Sequence, residues 1–131
     1  MNWLVAKMKW VMLLSGALTL TMVQALIAPS AALRTTFGDT LEGPLAEIVV
    51  RNWGALIALV GAMLIYGAFR PQVRRLVLVV AGLSKVVFIT LILTFGTQYL
   101  GKAGVAIVVD SLMVLLFIAY LFATSGYKAA A

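Results

Sequence analysis

The chain has no cysteine and no histidine. Without thiols it can run neither disulfide exchange nor thiolate catalysis, and without imidazole it lacks the usual haem ligand, zinc ligand and near-neutral acid-base group. Acid is nearly as scarce. Four Asp and Glu residues in 131 leave too few carboxylates for a di-metal site, so neither a metal nor a cofactor is expected, and an enzymatic role is disfavoured. Long polar stretches are missing too. With 64% hydrophobic residues, 11% charged and a mean hydropathy of +1.13, the apolar content is too large to hide inside one small soluble domain.

What is present are four runs of roughly 20 apolar residues, the length that crosses a hydrocarbon core at 1.5 Å per residue. They cover about 10–28, 48–69, 76–95 and 105–123. Lys7 and Lys9 ahead of the first run, with the small residues of "APSAA" behind it, also fit a secretory signal, but the run exceeds a signal core. The connections "RPQVRR" and "GTQYLGKAG" are short enough to force antiparallel neighbours, whereas Ser30 to Gly43 reads as one long connection after Pro29 stops the first helix. The expected fold is all-α: residues 1–131 as a single integral-membrane antiparallel four-helix bundle.

Basic residues set its orientation. Lys7, Lys9, Arg70, Arg74, Arg75 and Lys128 fall on one side of the four spans with no acid among them, while Arg34 and Lys102 on the other side meet Asp39, Glu42 and Glu47. The positive-inside rule then predicts both termini in the cytoplasm. This distribution explains the net charge of +6 by topology and weak attraction to anionic lipid, and excludes nucleic acid as the partner. Trp3, Trp10, Trp53, Tyr66, Tyr99, Tyr120 and Tyr127 are expected at the interfaces.

Along the second span, Glu47, Arg51, Gly54, Ala55, Ala58, Gly61 and Ala62 share one side, and Trp53, Leu56, Ile57, Val60, Met63 and Leu64 the other. Small residues let helices approach closely in lipid, so Gly54, Ala58, Gly61 and Ala62 are read as the packing face and the bulky side as lipid-facing. Three charges remain inside the apolar runs. Arg51 lies near the outer end of its span, where it either anchors the interface with Glu47 one turn away or joins Asp110 at similar depth. Lys85 lies roughly 14 Å from the cytoplasmic side, near the midplane, within one turn of Asp110 for a snorkelling stem. Arg51, Lys85, Asp110, Glu47, Asn52 and Gln24 therefore form the candidate polar network or ligand site, with Thr90, Thr94 and Ser111 as further hydrogen-bonding groups. Ser15, Thr19 and Thr21 are expected to bond back to their own helix.

The four-span layout, the long first connection, "RNWG" opening and "GAMLIYGAFRP" closing the second span, and "LSK" within the third resemble DoxX-like small bacterial membrane proteins. The resemblance implies a multi-pass bacterial inner-membrane protein in a group associated with quinone-linked or accessory redox roles, and carries over no catalytic residue. Three functional expectations stand. The first is an accessory or scaffold protein packing within a larger membrane complex or a homo-oligomer. The second is a lipophile- or quinone-binding protein with a polar pocket in its outer half. The third is a small proton- or ion-coupled carrier. Membrane lipids are partners in each.

Overall fold

The computed structural model describes residues 2–125, which are almost wholly helical and contain no strand. Tyr127 and Lys128 lie outside that range. Helix α1 (Asn2–Leu20) tightens into a 3-10 turn at Thr21–Val23 and continues as α2 (Gln24–Ile27). Then follow α3 (Pro29–Phe37), α4 (Pro44–Phe69), α5 (Pro71–Phe95), a 3-10 turn at Thr97–Tyr99 and α6 (Leu100–Ala123). The three prolines of the chain each open a helix, at the position where a missing N–H costs nothing and a fixed φ helps.

Four helices are long and apolar enough to cross a membrane: 3–27, 44–69, 71–95 and 97–123. They make a multi-pass membrane bundle, each span starting four to eight residues before the hydropathic run that announces it. The joints are tight. Arg70 alone separates α4 from α5 and Gly96 ends α5, so consecutive spans run antiparallel. Around the bundle α1 packs on α4, α4 on α5 and α5 on α6, while α1 and α6 make the sparsest contact of the ring. One end holds Asn2 and the α4–α5 joint, and is called the terminal end here; the other is the α3 end.

The expected long connection is in large part α3. Its sequence, "PSAALRTTF", reads as loop because it is short and bounded by turn residues, yet Ala32 and Leu33 are buried against Ala25 and Val50, with Phe37 and Trp53 packed beside them. Gly38 ends the helix with φ +76°, the left-handed conformation that glycine adopts without strain.

Packing on α4 agrees with the small-residue reading in part. Gly54, Ala58 and Gly61 are buried against α1 and α2, and a Cβ on Gly61 would lie 2.5 Å from the Leu20 amide nitrogen. Gly16 of α1 makes the reciprocal approach, 2.8 Å from the Gly61 oxygen for a built Cβ. Ala62, however, is exposed, and the bulky side does not face lipid as a block. Leu64 is fully buried, and Trp53, Ile57 and Val60 turn toward the bundle interior. The reason is that α4 sits between two neighbours, so it buries two adjacent faces: a narrow glycine face on α1 and a bulky one at the bundle centre. Tyr120 is likewise core, at 8% exposure, and not an interface residue.

Candidate functional site: a hollow beside Lys85 and Asp110

The four helices fill the terminal half and part in the other. Near the terminal end Met8, Met12, Leu64, Leu78 and Phe117 are fully buried in one apolar cluster. Toward the α3 end they enclose a cavity of about 370 Å³, at the small end of the range for ligand pockets. Its walls are apolar: Ile57 and Val60 of α4, Phe88 of α5, and Ala106 and Val109 of α6 among them.

Its floor is polar. The Lys85 ammonium donates to Asp110 Oδ1 at 3.1 Å and to Thr19 Oγ1 at 3.2 Å, with 8% of the lysine side chain and 21% of the aspartate exposed. A buried lysine needs such partners, because removing a charge from water costs several kcal/mol that only an opposite charge and further hydrogen bonds return. Each residue arrives from a different helix, so the pair also ties α5 to α6 and, through Thr19, to α1. An ammonium carries three donors, of which two are used; the Thr19 proton and the second Asp110 oxygen are also without a protein partner among the described residues. Ser84 lines the same floor. The cluster can therefore both donate to and accept from an oxygen placed above it.

Eight residues along α6 from Asp110, roughly 12 Å nearer the α3 end, Lys102 stands at the rim. Thr35 and Thr36 of α3 lie there too. On the α4–α5 side its walls include Trp53 and Phe88, and Phe37 packs against both rings (centroids 6.0 Å and 6.3 Å apart) and against Tyr99 (5.8 Å). Trp53 thus belongs to the cavity wall and Tyr99 to the aromatic cluster behind it, and both are partly buried.

The expected network divides. Lys85 and Asp110 meet. Arg51 does not join them and does not line the cavity. Its guanidinium pairs with Glu47 at 2.9 Å and donates to the carbonyl oxygens of Leu26 and Ile27, the latter at 3.4 Å. Arg51 thereby satisfies carbonyls left free at the C-terminus of α2, a favourable place for a cation. Arg74 does the same for α4, donating to Gly67 O at 3.1 Å and Ala68 O at 2.7 Å, and Arg75 for α6, donating to Leu121 O at 3.1 Å and Thr124 Oγ1 at 2.7 Å. Glu47, Asn52 and Gln24 are exposed and outside the cavity, as are Thr90 and Thr94. Ser111 does not line it either. Thr19, expected to bond only to its own helix, is instead a site residue; Thr21 does bond back, to Leu18 O. The signal for Thr19 was its level, about halfway along a span opposite Lys85, but nothing in the sequence fixes which way α1 faces.

No family model, curated protein or solved structure matches the chain in these comparisons, so the chemistry of the site rests on its own geometry.

Proposed function

We propose that the protein binds a small lipophile, its polar oxygen seated on the Lys85–Asp110–Thr19 floor and its apolar part against the cavity walls. One observation carries this reading: a buried ion pair with spare hydrogen-bonding capacity lies at the bottom of an apolar-walled cavity within the membrane-spanning bundle. Ionisable residues at that depth are costly, and those that face a cavity mark a ligand or ion path more often than a purely structural tie. The cavity thus moves the balance from an accessory subunit toward ligand binding. A quinone carbonyl is one oxygen the floor suits. The basic terminal end supports a bacterial inner-membrane protein with both termini in the cytoplasm and the cavity in the outer half.

Native mass spectrometry from mild detergent tests the reading. The wild-type chain should retain a lipophilic adduct that Lys85→Met, which keeps the stem and deletes the charge, loses while staying folded. A chain released bare under conditions that keep lipids on other membrane proteins, or an adduct indifferent to Lys85→Met, overturns it.

A further inference from the structure

The cavity reaches the surface between α1 and α6, and also at the α3 end, where the exposed Thr35 lines it. Leu18 and Thr21 on the α1 side and Lys102 and Val105 on the α6 side all line it, and all four are exposed on the bundle surface. They face each other where α1 and α6 touch least. At bilayer depth such an opening leads into lipid. A cavity of about 370 Å³ has room for a head and a short length of chain, so the remainder of a long lipophile has to leave it, and the α1–α6 opening is the one that lies along the spans.

Charge decides the head. Lys85 and Lys102 line the cavity against a single carboxylate, Asp110. The other acids are elsewhere: Glu47 is paired with Arg51, and Asp39 and Glu42 do not line the cavity. Lys102 has no acidic partner within 4.0 Å among the described residues. Asp110 is paired with Lys85, so Lys102 is the cavity-lining charge without an ion-pair partner among the described residues, at the rim with its stem against Gly38. A neutral quinone leaves that charge unanswered; an anionic head on the floor takes the free Lys85 donor with one oxygen and is attracted by the Lys102 ammonium, whose stem can lean inward from the rim.

Resting on the lipophile reading above, we propose that the ligand is a single-chain lipophile with one anionic oxygen head, a carboxylate or a phosphate monoester, which enters between α1 and α6 and leaves its tail in the bilayer there. The full chain carrying Trp3→Phe and Trp10→Phe, in phosphatidylcholine nanodiscs, keeps Trp53 on the cavity wall as the reporter. The probes are 9,10-dibromostearic acid, the lysophosphatidic acid with the same brominated chain, the brominated stearyl alcohol, and decylubiquinone. One or both acids should quench Trp53 saturably at a mole fraction at least tenfold below the alcohol, and which one does so identifies the head. Lys102→Ala, at an exposed position, should raise the half-saturating fraction at least threefold. Since the chain has no native cysteine, single cysteines at Leu18 and Val105, given a nitroxide label in detergent before reconstitution, provide a second readout: the bound acid should shield both labels from collision with dissolved oxygen but not one at Leu83, exposed on another helix. Alcohol or quinone binding as tightly as the acids overturns the anionic head and leaves the lipophile reading standing. Saturable quenching without shielding at Leu18 and Val105 overturns the opening between α1 and α6. Failure of every probe overturns both the inference and the reading beneath it.

Discussion

The same four helices are packed solid in one half and parted in the other. At the terminal end Met8, Met12, Leu64, Leu78 and Phe117 interlock with no exposed surface to speak of. In the α3 half the corresponding space is left to Lys85, Asp110, Thr19 and a hollow. The cations differ in the same way. Arg74 and Arg75 of the terminal end are spent on helix-end acceptors, as Arg51 is at the end of α2, while the two lysines of the α3 half face a cavity, compact charges on flexible stems. The contrast separates residues that hold the bundle together from residues with capacity left over.

Phe117 and Phe88 make the sharpest test of that contrast. Phe117 is 1% exposed in the filled half, and Phe117→Ala should cost about 3–5 kcal/mol, as large-to-small core changes do. Phe88 already borders open space, so Phe88→Ala should cost less than half as much while enlarging the cavity. Equal losses in a reversible unfolding assay would show the two halves to be packed alike. Asp110→Ala should approach the larger figure for a different reason: it strands the Lys85 ammonium, a loss of about 3 kcal/mol or more. Adding Lys85→Met removes the stranded charge, so the double variant should be more stable than Asp110→Ala alone. Strict additivity would refute the pair.

Gly61→Val comes next. The change puts a branched side chain where α1 backbone already stands, and such overpacking costs typically 1–3 kcal/mol. Ala62→Val, one residue on at an exposed position, should be close to neutral. A similar loss at both would mean that the α1–α4 contact is looser than the glycine crossing describes.

Depth along the membrane was legible in the sequence; direction around each helix was not. Run length placed four spans and the rise per residue put Lys85 within reach of Asp110, because both statements need only position along the chain. Arg51 has a depth similar to Asp110, but α4 turns it toward the end of α2, and the order of helices around the ring leaves no trace in hydropathy. Thr19 was missed for the same reason. The α3 helix was missed for another: nine residues with three buried apolar positions carry no sustained period, and its stability comes from Ala25, Val50 and Trp53 on other elements.

The smallest effect belongs to Arg51 and Glu47, and it bears on whether the polar groups of the α3 half form one system or two. Their side chains are 41% and 55% exposed, so the pair itself is worth about 0.3–0.5 kcal/mol, as for other solvent-screened helical i, i+4 pairs. Glu47→Gln should therefore shift stability by no more than that and leave ligand retention alone. Arg51→Ala should cost somewhat more, about 1 kcal/mol, because the Leu26 and Ile27 carbonyls lose a charged donor as well. Arg51→Lys restores the charge but not the fork, and should recover only part of the loss. If Arg51 acted on the Lys85–Asp110 floor, combining Arg51→Ala with Asp110→Ala would depart from the sum of the single losses. With the guanidinium engaged at the end of α2 instead, the two changes should add to within about 0.5 kcal/mol, the behaviour of sites that share no partner.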